Sequence, residues 1–140
     1  MNRFRNQVRE VINRNIVVSL ALAKGFNVFL PVYDGGVDFI LYRESDRETR
    51  NVQLKGRWTI DRKYEGRDIW IAFPIDGEWY LMPHEKMVEQ AGEVLQSVSW
   101  TRDGLYSRGK PSEAVKTQCE PYRFARIADV ATEAAQEDPA

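Results

Sequence analysis

Cysteine and histidine each occur once in this chain of 140 residues, as Cys119 and His84. A single thiol forms no intrachain disulfide, and a cytoplasmic chain is the simplest reading of that usage. One imidazole and one distant thiol also argue against zinc fingers, histidine-metal clusters and Cys-His or Ser-His catalysis. No apolar run approaches the ~18 residues of a membrane span, so no membrane partner is expected. Net charge is nearly absent too: 20 basic and 21 acidic residues leave −1, which argues against a histone-like polycation. Gly35-Gly36 lacks the spacing and the Lys-Ser/Thr ending of a phosphate loop and reads as a turn.

What is present is the balance of an ordinary globular domain, 43% hydrophobic and 29% charged, with chain enough for one core. We expect one domain over residues 1–128 and an acidic, poorly ordered tail over 129–140. The charge is unevenly spread. Arg3, Arg5, Arg9, Arg14 and Lys24 against Glu10 make the N-terminus basic, while Asp129, Glu133, Glu137 and Asp138 stand without a basic neighbour in the tail. The arginine-rich start leads into Ile16–Ala23, whose Ala21-Leu22-Ala23 could be taken for a signal-peptide cleavage site. Apolar residues at three- and four-residue steps (Phe4, Val8, Val11, Ile12, Ile16, Ser19, Leu20, Ala23) favour an amphipathic helix over 3–24 instead, stopped by Gly25.

Beyond the helix the pattern changes to short β-rich runs. Strands are expected at 26–30, 37–42, 50–56 with an extension through Trp58 and Ile60, 68–73 and 78–82, with turns at Tyr33–Gly36, Glu65-Gly66 and Asp76-Gly77. Pro83 suits the first position of a helix running to about Ala91. Val94 to Trp100 reads as a further strand, 101–111 as loop, and Ser112 as the cap of a helix to Gln118. The order gives an α/β (α+β) fold: an N-terminal helix, then a central mixed sheet of about five strands flanked by helices.

Two features of this sheet call for explanation. Asp38 is a carboxylate at the start of an apolar strand, which costs several kcal/mol if buried without a partner; a frayed strand start bonded to turn amides is the bland alternative. Gln53 and Lys55 share one face of the next strand while Val52 and Leu54 share the other; an edge strand with a wet face is the bland alternative there. Adjacent strands lie about 4.8 Å apart, so Asp38, Gln53 and Lys55 can converge. A carboxylate plus an amide oxygen are hard donors suited to Mg²⁺, and a neighbouring lysine can orient a water or stabilise developing phosphorane charge.

With its Lys24-Gly25-Phe26 through Leu30-Pro31, Gly36-Val37-Asp38-Phe39-Ile40 and Val52-Gln53-Leu54-Lys55, the chain resembles the PD-(D/E)xK, or restriction-endonuclease-like, nuclease superfamily, nearest the small Holliday-junction-resolvase-like members. Tyr64-Glu65-Gly66 before Asp68-Ile69-Trp70, and Trp79–Pro83 before a helix, agree with that group. The resemblance implies a restriction-endonuclease-like core and an endodeoxyribonuclease that hydrolyses phosphodiester bonds with Mg²⁺ or Mn²⁺. It implies Asp38 as first metal ligand, Gln53 in the place of the second acid, the backbone carbonyl of Leu54 on the same ion, and Lys55 as the catalytic lysine. Gln53 departs from the family's Glu or Asp, and the lost negative charge weakens Mg²⁺ binding. Glu10 is the only acidic residue available for the helix glutamate that many members supply, although Asn13 lies nearer that place; the alternative for Glu10 is a plain surface i,i+4 pair with Arg14.

DNA is the expected partner. Arg3, Arg5, Arg9 and Arg14 on the helix, and Arg57, Arg62, Lys63 and Arg67 after the motif, are candidates for phosphate contact, against the alternative of a solvated charged face. Junction-type enzymes of this fold commonly work as dimers, which makes a homodimer compatible with the resemblance. Two other readings compete with an active nuclease: a weak or inactive module on the same fold that binds nucleic acid or a protein, and an unrelated α+β interaction domain.

Overall fold

The structure is a computed structural model that describes residues 3–125; the expected boundary at 128 and the acidic tail lie outside the described residues. In chain order the elements are α1 (Arg3–Ala23), β1 (Asn27–Phe29), β2 (Phe39–Arg43), β3 (Glu48–Leu54), β4 (Trp58–Asp61), β5 (Ile69–Ile75), β6 (Glu78–Pro83), α2 (His84–Glu89), β7 (Leu105–Arg108), α3 (Glu113–Cys119) and β8 (Arg123–Ala125). Six strands form one mixed sheet in the order β1-β2-β3-β5-β6-β8, and β4 and β7 form a separate ribbon. Among the described residues only β3 and β5 run parallel; every other pairing is antiparallel. The α+β layout with a leading helix and a central mixed sheet is as expected, with six strands in place of about five. No helix among the described residues is long and apolar enough to cross a membrane.

Both faces of the sheet are covered, which is why β5 is apolar along most of its length. Ile69, Ile71, Phe73 and Ile75 enter one core with Tyr80, Met82, Met87 and the ribbon's Trp58 and Ile60. Ala72 enters the other core with Phe39, Leu41, Val52, Leu81 and Phe124, under Val17, Leu20 and Ala21 of α1. Pro74 is tolerated inside β5 because the β3–β5 pairing ends at Leu54↔Ala72. Beyond that point only β6 flanks the strand, so the missing amide breaks no ladder bond to β3.

Three local expectations are corrected. Trp58 and Ile60 do not prolong β3; the chain leaves the sheet at Gly56 and forms β4, paired with β7 from Trp58↔Arg108 to Asp61↔Leu105. The 101–111 stretch therefore contains a strand, held by an edge-on contact of Tyr106 with Trp58 at 6.0 Å between ring centres. Val94–Trp100 is not a strand but two short helical turns over Gly92–Gln96 and Ser99–Asp103. Val94 and Leu95 are adjacent and pack against the same core, which an alternating strand cannot do.

Only the second half of α1 is anchored. Val17, Leu20 and Ala21 are buried, whereas Val11 and Ile12 are 47% and 52% exposed, so the apolar periodicity of the first half faces outward. Leu20→Ala is expected to destabilise the fold by about 2–5 kcal/mol in urea denaturation, whereas Ile12→Ala is expected to change stability by less than about 0.5 kcal/mol.

Candidate functional site

The β2–β3 register decides where the polar side chains meet. Phe39 pairs with Val52, and there the ladder breaks: the Asp38 amide donates to the Val52 carbonyl at 2.8 Å, one residue out of register. Asp38 therefore sits at the break, beside the end of β3. Val52 and Leu54 belong to the core beneath α1, so Gln53 and Lys55 share the other face, and Asp38 lines one cleft with both. At the end of β3 the Leu54 amide turns to the side chain of Asp38, donating to Oδ2 at 2.7 Å. The Lys55 amide donates to the Ala72 carbonyl at 2.9 Å, fixing the backbone one residue past the strand.

These residues form the floor of an open cleft of about 700 Å³. The overhanging half of α1 makes one wall with Asn6, Arg9, Glu10, Asn13 and Arg14, and the β1–β2 connection makes the other with Leu30, Pro31 and Asp34. The structure thus brings Asp38, Gln53, Leu54, Lys55, Glu10, Arg9 and Arg14 together. Among the described residues no ion pair joins Glu10 to Arg14; both face the cleft.

The electrostatics follow from burial and neighbours. Asp38 has its pKa raised, first by burial; the Leu54 amide opposes this, Asp34 adds to it, Lys55 opposes it, and Glu10 adds a smaller push. Gln53 Oε1 is buried with no hydrogen-bond partner. An unmade bond at a buried acceptor costs about 1–3 kcal/mol, so this oxygen, beside a carboxylate held ready by a backbone amide, is the polar atom in the cleft that most needs a ligand. The Lys55 ammonium lies 5.4 Å from the ring centre of Tyr64. Tyr64 is buried, with its hydroxyl pKa raised mainly by that burial; its ring walls off one side of the lysine.

The turn bearing Asp34 and Asp38 is clamped from outside. Arg67 donates to the Gly35 carbonyl at 2.6 Å, and a Cβ on Gly36, whose φ is +98°, would lie 2.8 Å from the Arg67 guanidinium. Asp34 accepts from the Gly36 amide at 2.9 Å while lining the cleft. Sequence reasoning missed Asp34 as a cleft residue and read it only as part of a turn; its place four residues before Asp38 on a glycine-tightened loop was the available signal. Arg67 acts through this clamp on the loop that carries Asp38.

The remaining basic candidates stand elsewhere. Arg3 and Arg5 are exposed on the first turns of α1, away from the cleft lining. Arg57 follows the cleft residue Gly56 and donates to the Ser107 carbonyl at 3.2 Å. Arg62 covers the Trp100 ring at 5.1 Å and donates to the Trp100 carbonyl, and Lys63 pairs with Asp61 at 3.6 Å. His84 is buried and accepts the Asp61 amide on Nε2 at 3.0 Å, which puts its proton on Nδ1. Burial lowers its pKa against the pull of Asp61, so it is a neutral structural imidazole, not a base in the cleft. The Cys119 thiol is pushed up to about 11 by burial first and Glu120 second, which leaves it unreactive.

Because the pKa of Asp38 is raised on folding, its ionised form costs stability at neutral pH, and the cost is relieved as pH falls through the raised value. Asp38→Asn keeps an acceptor for the Leu54 amide and removes the charge. It is expected to melt above the parent protein at neutral pH, with the difference shrinking in acid; calorimetric melting across pH checks this.

No family model matches the chain, and no curated protein matches it. Among solved structures the chain is similar to a bacterial homing endonuclease, at 16% sequence identity and a TM-score of 0.48, over 90% of this chain and 91% of that one.

Proposed function

We propose that this chain is a metal-dependent nuclease-like protein of the PD-(D/E)xK type that binds DNA and hydrolyses phosphodiester bonds. The observation that carries the reading is the buried, unpartnered oxygen of Gln53, a residue lining the same cleft as the amide-anchored Asp38 carboxylate. Asp38, Gln53 Oε1 and the Leu54 carbonyl are hard oxygen donors that fit Mg²⁺ or Mn²⁺. When bound, the ion supplies Lewis-acid polarisation of the phosphoryl group.

The chain's own residues do the rest. Arg9 and Arg14 on the α1 wall hold phosphates to one side of the one under attack. Lys55 orients the attacking water and offsets charge developing on the phosphorane oxygens. Tyr64 beside it limits how far the ammonium can swing. Glu10 and Asp34 hold negative charge at the cleft rim, which attracts a divalent cation towards Asp38.

A second reading, a weak or inactive module that binds nucleic acid on the same fold, draws on one observation. Among the described residues no group of three or more His, Cys, Asp or Glu side chains is placed to hold a metal. Incubation with supercoiled plasmid, single-stranded DNA and four-way junctions in Mg²⁺ or Mn²⁺ separates the two. Active protein is expected to cut, and Asp38→Ala or Lys55→Ala to lower the rate about 100-fold or more. DNA binding without metal-dependent cutting would establish the inert module, and absence of both would remove the nuclease reading.

Gln53→Glu restores the second carboxylate. It is expected to tighten Mn²⁺ binding about tenfold or more in calorimetric titration and, through repulsion with Asp38, to lower the melting temperature of the metal-free protein.

A further inference from the structure

The end of the β4–β7 ribbon adjoins the cleft. Lys55 and Gly56 line the cleft, Arg57 follows directly, and β4 begins at Trp58. Trp58 pairs with Arg108, so the end of the ribbon where Arg57 enters is also where β7 leaves through Arg108, Gly109 and Lys110. Arg57 reaches back across this end to the Ser107 carbonyl at 3.2 Å, and its Nε lies 3.8 Å from where a Gly109 Cβ would stand. Arg57, Arg108 and Lys110 are all exposed. No acidic residue occurs in 55–57 or 107–110, and among the described residues none of the three forms an ion pair.

This contrasts with the basic residues nearby. Arg62 is spent on Trp100, Lys63 on Asp61 and Arg102 on Asp103. Three unpaired cations on a narrow tip repel one another, an arrangement that a polyanion relieves. We infer that the tip of the β4–β7 ribbon, through Arg57, Arg108 and Lys110, is a second phosphate-contacting arm, so that DNA is held on both sides of Asp38. This rests on the proposed nucleic-acid reading of the cleft and extends it: the α1 arginines grip one side of the cleaved position and the ribbon tip the other. A substrate must then reach beyond the cleft floor towards the ribbon, which a mononucleotide or very short oligonucleotide does not.

The test is fluorescence anisotropy of labelled duplex DNA over about 50–200 mM salt. It compares the parent protein with Arg108→Ala/Lys110→Ala, with Arg9→Ala/Arg14→Ala, and with Arg47→Gln/Lys86→Gln, which removes equal charge away from the cleft. The ribbon variant is expected to bind about tenfold or more weakly and to lose about two from the log–log salt slope, with an unchanged melting temperature. The Arg47/Lys86 control is expected to bind as the parent does. Weakening in the α1 variant but not in the ribbon variant would overturn this inference while leaving the cleft reading intact. Equal weakening in the ribbon and control variants would reduce it to net charge and overturn it as well. A parent protein that binds no DNA would remove both readings.

Discussion

The hydrogen bond from the Leu54 amide to Asp38 Oδ2, 2.7 Å long, is the contact on which the site depends. It is a local consequence of antiparallel pairing: β2 begins one residue late, and the amide that would have met a strand carbonyl meets a carboxylate. The bond fixes the side chain of Asp38 against the end of β3 and keeps the charge half-buried. A charge-assisted bond of this kind is roughly twice as strong as a neutral one, yet burial still outweighs it in setting the acidity of Asp38. The molecule thus keeps a carboxylate under mild electrostatic stress on the floor of a cleft.

The surroundings hold that arrangement in place from several directions. The parallel pairing of β3 with β5 places Gln53 beside Ile71, so its amide lies against a hydrophobic core on one side and opens to the cleft on the other. The Arg67 clamp fixes the incoming loop, and the break at Gly56 sends the chain off the sheet directly after Lys55. The positions of the lysine and of the ribbon therefore share one cause, the departure of the backbone from the sheet at the end of β3.

Much of this was readable from residue order. Period-two alternation separated Val52 and Leu54 from Gln53 and Lys55, and the short β2–β3 hairpin made their meeting with Asp38 a matter of register. The α1 helix and β5 and β6 followed from periodicity and turn residues. What the sequence left obscure has physical reasons. Trp58 and Ile60 carry the composition of a continuing strand, and only the partner β7, 45 or so residues away, makes them a separate ribbon. Val94, Val98 and Trp100 are β-prone residues, but the neighbours Val94 and Leu95 pack on one core, so composition pointed to a strand and packing decided. The outward face of the first half of α1 was hidden because apolar spacing alone does not say which stretch of a helix meets a core. Asp34 was masked by its role in a turn, and the ribbon cations by the distance along the chain between Arg57 and Arg108.

The anchoring of α1 at one end only has a thermodynamic consequence for the cleft. From Arg3 to Arg14 the helix has little buried side-chain surface, no acidic residue in its first turn, and Arg3 and Arg5 at the positive pole of its dipole, each an unfavourable placement of about 0.3–1 kcal/mol. Such a segment is close to the helix–coil balance of an isolated peptide. Its amides exchange with solvent through local opening far more readily than those of Val17–Ala21 or β5. Any anion gripped by Arg9 and Arg14 must therefore spend part of its attraction on holding that wall in helical form, which trades affinity for easier release.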